Sequence, residues 1–217
     1  MARRAPPRAA KKARRSPLRL FRGRRPSAPV DFLLVGLGNP GSGYAGTRHN
    51  VGFEVASLLA ERWQLPKAQK RYGGLLTEGR IGPGMPRVAV LLPQTFMNES
   101  GRAVGPARGE YRLDLDQVIA VHDEIDLPFG DVRERKGGGT AGHNGIRSLK
   151  ASLGGGDFWR VRVGVGRPDT TDPEVVSQHV LSRFTEPASD VRRLIERAAD
   201  ATERLLEREY AASEEPD

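Results

Sequence analysis

Phe32-Leu33-Leu34-Val35-Gly36-Leu37-Gly38-Asn39-Pro40-Gly41-Ser42-Gly43-Tyr44-Ala45-Gly46-Thr47-Arg48-His49-Asn50-Val51-Gly52 is the stretch on which the fold turns. Its first six residues form an apolar run of the length of a buried strand. A glycine-rich turn ends that run. Over residues 47–63, Val51, Val55, Leu58, Leu59 and Trp63 recur at helical spacing, with Thr47 placed as an N-cap. Further strand-like runs at 88–92, 118–121 and 161–165 alternate with helical stretches. One of these helices includes 148–153 and opens near His143 or Asn144; another is amphipathic over 187–210. Strands alternating with helices at this length predict a single α/β domain with a mixed, mostly parallel sheet flanked by helices.

The glycine loop also satisfies G-x-G-x-x-G from Gly36 to Gly41, which taken alone suggests an NAD(P)- or flavin-dependent oxidoreductase. In that motif the helix opens within the glycines, so that its N-terminus faces the pyrophosphate. Here Pro40 and the run from Ser42 to Gly46 keep the chain in a loop, and the acids about 20 residues on, Glu54 and Glu61, fall inside the helical pattern. The oxidoreductase therefore stands as an alternative.

Working outward, the 217 residues carry 35 Lys+Arg against 27 Asp+Glu, a formal charge of +8. Eleven of the basic residues and none of the acids lie in residues 1–30, which leaves 24 basic and 27 acidic side chains, a net of −3, beyond them. Segment 1–30 mixes Arg, Ala, Pro and Ser without periodicity and is expected to be a disordered tail: a leader, a weak polyanion-binding arm or a transit peptide. The expected catalytic domain spans 31–210, and 211–217 a flexible end. No apolar run approaches a membrane span or a secretory signal, and the mean hydropathy of −0.51 fits a globular protein. Zero cysteines exclude disulfides, thiolate metal sites and a Cys nucleophile, and fit a cytoplasmic location.

Three Gly-flanked loops each carry an asparagine: Asn39, Asn98 and Asn144. Singly, each reads as turn chemistry. Together they could bring three carboxamides to one cleft beyond the carboxyl ends of strands, where α/β proteins bind ligands. His49 falls at the expected start of a helix, whose dipole favours the neutral imidazole. Asp123 closes a strand-like run, aimed at the same cleft. A metal cluster competes for the carboxylates and histidines, but no H-x-x-H, H-E-x-x-H or thiolate spacing is present. A G-x-S-x-G elbow is also missing. The residues supply a histidine base, a carboxylate to orient it, amides to hold a substrate, and water as nucleophile.

Four motifs carry a resemblance. V-G-L-G-N-P-G-S-G-Y-A-G-T-R-H-N-V-G (35–52), P-Q-T-F-M-N-E-S-G (93–101), V-H-D-E-I-D-L-P-F-G (121–130) and G-G-G-T-A-G-H-N-G (137–145), extended by F-W-R-V-R-V-G-V-G-R-P (158–168) and V-L-S-R-F (180–184), together resemble bacterial peptidyl-tRNA hydrolases from about Asp31 to Tyr210. The resemblance implies a monomeric, single-domain α/β enzyme with a twisted mixed sheet. Such an enzyme hydrolyses the ester between a peptide and the 3′ ribose of tRNA, without a cofactor or metal. It implies His49 as catalytic base, Asp123 as its orienting carboxylate, and Asn39, Asn98 and Asn144 as positioning amides; in the chemistry this kit allows, an amide donor, Asn39 or a backbone N–H, would hold the carbonyl or its developing oxyanion. Tyr44, Phe96, Met97 and His143 match positions lining the cleft. Arg135 and Arg162 match positions that meet the 5′ phosphate end of tRNA. Gly105, Pro106 and Gly109 depart from a regular helix and predict a kinked or short one after Ser100. A noncatalytic RNA-binding module is the remaining alternative.

Overall fold

The computed structural model describes residues 29–214. The tail expected over 1–30, apart from its last two residues, and the final residues 215–217 lie outside the described residues. Among the described residues seven strands follow in chain order: β1 (Phe32–Gly36), β2 (Gln69–Arg71), β3 (Gly74–Arg80), β4 (Arg87–Pro93), β5 (Val118–Glu124), β6 (Val132–Lys136) and β7 (Trp159–Gly164). The helices are α1 (Val51–Arg62), α2 (Gly101–Tyr111), α3 (Asn144–Leu153), α4 (Pro173–Leu181) and α5 (Ala188–Glu214). Thus α5 continues past residue 210.

The strands form one sheet in the order β2-β3-β4-β1-β5-β7-β6. β4, β1, β5 and β7 are mutually parallel, while β2, β3 and β6 add antiparallel edges. The mixed, mostly parallel sheet expected from the alternation is therefore present. Every residue of β1 and β5 is buried, as befits central strands covered on both faces. Alternation along the strands sorts their side chains into two cores. Leu33, Val35 and Ala120 pack with α2 and α3, and Leu34, Ile119 and Val121 pack with α1 and α5. The crossovers leave β1 toward β4 on one side and β5 on the other, so a crevice opens beyond their carboxyl ends.

Two close approaches fix the helices around that crevice. A Cβ on Gly52 would sit 2.3 Å from the Val121 carbonyl oxygen and 2.5 Å from that of Leu37, so the first turn of α1 can rest on the strand ends only through a glycine. On the other face, a Cβ on Gly101 would meet the Ser148 carbonyl oxygen at 2.3 Å, and one on Gly105 would meet Ser152 Oγ at 2.4 Å. Gly101 and Gly105 thus seat α2 on α3 instead of breaking α2, which runs through Pro106 to Tyr111.

The helix expected from Thr47 begins later. Arg48–Asn50 forms a 3-10 turn, and α1 starts at Val51. The Thr47 hydroxyl donates to the Tyr44 carbonyl at 2.8 Å and is not a helix cap. Asn50 holds the N-cap position without capping, because its side chain is bonded to the backbone of Asn39 in both directions. Strands β2, β3 and β6 and helix α4 carry no clear periodic signal. β6 reads Val-Arg-Glu-Arg-Lys, a charged edge, and α4 buries no residue.

Candidate active site

Beyond the ends of β1, β4 and β5 lies a cleft of about 690 Å³. Nine of the eleven residues singled out from the sequence line it: Asn39, Tyr44, His49, Phe96, Met97, Asn98, Asp123, His143 and Asn144. Arg135 and Arg162 are on the β6–β7 edge and do not line it.

The centre of the cleft is a carboxylate shared by two imidazoles. Asp123, the penultimate residue of β5, is buried, and its Oδ1 lies 2.8 Å from His49 Nδ1 and 2.9 Å from His143 Nε2. The second contact has its tautomer fixed by the fold. His143 is the N-cap of α3, and its Nδ1 accepts the backbone N–H groups of Gly145 and Ile146 at 3.1 and 3.3 Å. The proton is therefore on Nε2, which donates to Asp123. His49 likewise gives its Nδ1 proton to the carboxylate, which leaves Nε2 as its basic nitrogen.

Burial penalises the charged form of each group, but the three compensate one another. Desolvation would raise the Asp123 carboxyl, yet His49 and His143 hold it well below the ordinary carboxylate range. Burial would lower His49, and the charge and hydrogen bond of Asp123 raise it above the ordinary histidine value. The depression expected from a helix dipole is thus overturned: His49 sits in a 3-10 turn beside a carboxylate, which outweighs any first-turn dipole. His49 Nδ1, Asp123 Oδ1 and His143 Nε2 fall within 4.8 Å of one another, close enough to be weighed as a metal set. The two imidazole protons already occupy the lines between these atoms, so hydrogen bonding uses the same lone pairs a metal would need.

The asparagines divide by environment. Asn39 is buried, and its Oδ1 accepts the Met97 backbone N–H at 2.8 Å. The donors left to its carboxamide are the two Nδ2 hydrogens. Asn98 and Asn144 are exposed, and Asn144 Oδ1 accepts from Arg147 Nη2 at 2.6 Å. Phe96 is 57% exposed and meets Tyr44 edge-on at 6.5 Å, an aromatic lip on the cleft. Because Asn39 spends its backbone and Oδ1 on Asn50 and Met97, the Gly36–Gly41 loop is a brace for the site and not an open pyrophosphate cradle.

Sequence reasoning missed Asn50, Arg48, Arg147 and the whole wall formed by α4. Arg48 is buried, and its guanidinium donates to Ser182 Oγ (2.8 Å), the Arg183 carbonyl (2.6 Å), Thr185 Oγ1 (3.2 Å) and Glu186 Oε2 (3.1 Å). The residue before His49 thereby clamps the chain that leaves α4. Of the two basic residues predicted to meet phosphate, Arg162 pairs with buried Glu124 at 3.0 Å, and Arg135 is exposed. No helix among the described residues is long and apolar enough to cross a membrane.

Comparison with known proteins places these features in a family. The family model described as peptidyl-tRNA hydrolase matches residues 33–215. A peptidyl-tRNA hydrolase of Mycobacterium avium is 49% identical over 179 residues, covering 81% of this chain and 91% of its own. One from Halalkalibacterium halodurans is 43% identical over 179 residues, covering 82% and 95%. Among solved structures, peptidyl-tRNA hydrolase from Acinetobacter baumannii superposes with a TM-score of 0.73 at 35% identity, over 86% of this chain and 94% of that one.

Proposed function

The chain belongs to the peptidyl-tRNA hydrolase family, and we propose that it cleaves the ester between peptide and tRNA with His49 as general base for a water molecule. The observation that carries this reading is the Asp123 Oδ1 contact to His49 Nδ1 at 2.8 Å, which fixes the tautomer and leaves Nε2 to take the proton. As water attacks the ester carbonyl, the imidazolium that forms is stabilised by Asp123. General-base catalysis of this kind contributes about 10²- to 10⁴-fold.

Asn39 Nδ2 is the proposed donor to the carbonyl oxygen and its developing negative charge, its orientation set by the Met97 N–H on Oδ1. Asn98 and Asn144 are proposed to read the first peptide bond of the substrate. Ordinary aminoacyl-tRNA lacks that bond and would leave them unpaired. The exposed Phe96 ring offers a stacking surface for the terminal nucleotide. Arg135 and Arg162 are proposed to meet backbone phosphate, which adds salt-sensitive affinity without base specificity. The enzyme is proposed to act as a cytoplasmic monomer, with neither metal nor cofactor in the reaction.

The test is turnover of an N-acetylated aminoacyl-tRNA beside the unblocked form, with His49→Ala as control and with exhaustive chelation in parallel. Unchanged cleavage by His49→Ala removes the mechanism, and equal cleavage of both substrates removes the proposed selectivity. Loss of activity on chelation would bring a metal into the site.

A further inference from the structure

Antiparallel pairing sets Arg133 on β6 directly opposite Arg162 on β7, and Arg135 opposite Arg160. Directly opposed residues two apart project from the same side, so four arginines share one face of this edge. Their surroundings differ. Arg162 has its carboxylate in Glu124 at 3.0 Å, and Arg133 reaches Asp131 at 3.4 Å. Arg135 is exposed, and its guanidinium lies where a Cβ on Gly138 would sit, 2.6 Å from Nε.

Arg160 is the exception, a buried cation with no carboxylate at ion-pair distance among the described residues. It is 4% exposed and lies over the Phe158 ring at 4.9 Å from guanidinium carbon to centroid. Its donors go to backbone carbonyls: Nη1 to Gly139, and Nη2 to Gly138 at 3.1 Å and Gly156 at 3.4 Å. Its buried Nε has no hydrogen-bond partner among the described residues. Burial, then repulsion from Arg135 and Arg162, lowers its pKa, and the opposing attraction of Glu124 and Asp157 only partly offsets them.

The carbonyls that Arg160 holds begin the loop that delivers His143. Gly137 and Gly138 have φ of 71° and 96°, a path whose shape depends on what grips it. Two residues on, the Thr140 carbonyl accepts the His143 N–H at 2.8 Å, and His143 Nε2 donates to Asp123.

We propose that Arg160 is a positioning residue: its fork on the Gly138 and Gly139 carbonyls holds the 137–142 loop so that His143 meets Asp123, and a substrate phosphate at Arg135 and Arg162 adds negative charge beside it. Phosphate binding on the arginine face then tightens the catalytic carboxylate. The inference rests on the function proposed above and deepens it, by making the phosphate contact act on turnover as well as on affinity.

The test compares the full-length wild type with Arg160→Gln and Arg160→Lys on two substrates. One is an N-acetylated aminoacyl ester of a short CCA oligonucleotide, which lacks the acceptor-stem 5′ phosphate. The other is the full-length N-acetylated aminoacyl-tRNA, with and without its 5′ phosphate. Arg160→Gln is expected to lower kcat on the short ester about 10- to 100-fold, the scale of a misplaced catalytic group, with KM held within about twofold. The acid limb of its pH profile moves down as Asp123 supports the imidazolium less well. Arg160→Lys, a charge without the planar fork, falls between. In the wild type, removing the 5′ phosphate lowers kcat, and in Arg160→Gln it does not. A change in Arg160→Gln confined to KM for full-length tRNA overturns the proposal, as does a fall in kcat with an unmoved pH profile. Imidazole ¹⁵N resonances of the free protein decide the point separately from turnover. Movement of the His143 signals and of the His49 titration in Arg160→Gln is expected, and unchanged signals overturn it. Failure of the wild type to cleave either substrate counts against the assigned reaction, while the resonances still answer for Arg160.

Discussion

His143 gives its Nε2 proton to the carboxylate of Asp123 across 2.9 Å, because the start of α3 has already taken its Nδ1. An imidazole so committed has no basic nitrogen to offer. Asp123 is therefore held from two sides, and only His49 keeps a free lone pair for catalysis.

Replacing His143 separates its two contacts. His143→Asn keeps an N-cap oxygen and loses the reach to Asp123, whereas His143→Ala loses both. Both variants are expected to lower kcat about 10- to 100-fold, the usual cost of removing a group that orients a catalytic residue. His143→Ala is expected to be less stable than His143→Asn by about 1 kcal/mol, the worth of the cap. Steady-state kinetics and urea unfolding check the pair.

The pH dependence follows from His49. Asp123 raises the imidazole above its ordinary value, so kcat/KM is expected to fall as pH drops through that raised pKa and the base becomes protonated. Asp123→Asn removes the charge and leaves burial, which lowers the imidazole. The acid limb is then expected to move to lower pH while the plateau falls. A limb unmoved by Asp123→Asn would assign it to another group.

His122 predicts an acid instability unrelated to catalysis. Its ring is buried beside His143, with centroids 4.8 Å apart, and its Nε2 has no hydrogen-bond partner among the described residues. Burial first, then His143, pushes its pKa down to about 3. The unfolded chain takes up this proton near pH 6.5, so it binds more protons than the native state between about 6.5 and 3, and stability falls as pH drops through that window. The loss grows by about 1.4 kcal/mol for each pH unit crossed. His49 works in the opposite sense: its raised pKa contributes stability below the ordinary histidine value, lost as pH rises through the raised one. His122→Asn is expected to flatten the acid side of a plot of unfolding free energy against pH.

Arg48 links the turn that carries His49 to the far wall of the cleft. Arg48→Met is expected to cost about 3 kcal/mol, since a partly buried Glu186 and several acceptors lose a charged donor. The cost should be read out unevenly. α4 buries no residue and leans on this clamp, so hydrogen exchange in α4 is expected to rise more than in β1 or β5.

Salt dependence distinguishes the two arginines on the β6–β7 edge. Arg135→Gln is expected to reduce the slope of log affinity for tRNA against log salt by about one, the signature of one lost phosphate contact. Arg162→Gln also leaves Glu124 buried without its partner, so it is expected to lower stability as well. Titrations at several salt concentrations, with melting curves, check both.

The periodicity of local sequence was enough for β1, the two strands beside it, α1 and α5, because burial against one face imposes a pattern that a short window displays. β6 and α4 were illegible for the converse reason: a charged edge strand and a helix with no buried residue have no apolar period to show. The choice of His49, Asp123 and the three asparagines as site candidates came from residue type, glycine-rich context and family motifs. What each side chain does at the site did not. Asn50 ended up bracing Asn39, Thr47 turned back on Tyr44, and His143 became the second support of a carboxylate 20 residues away. The sequence by itself determined an α/β chain, its family and the residues gathered at the strand ends. Tertiary structure alone decided which nitrogen of each histidine carries the proton, because a tautomer is set by partners that only the docking of the 48–50 turn and α3 on β5 brings within hydrogen-bonding distance.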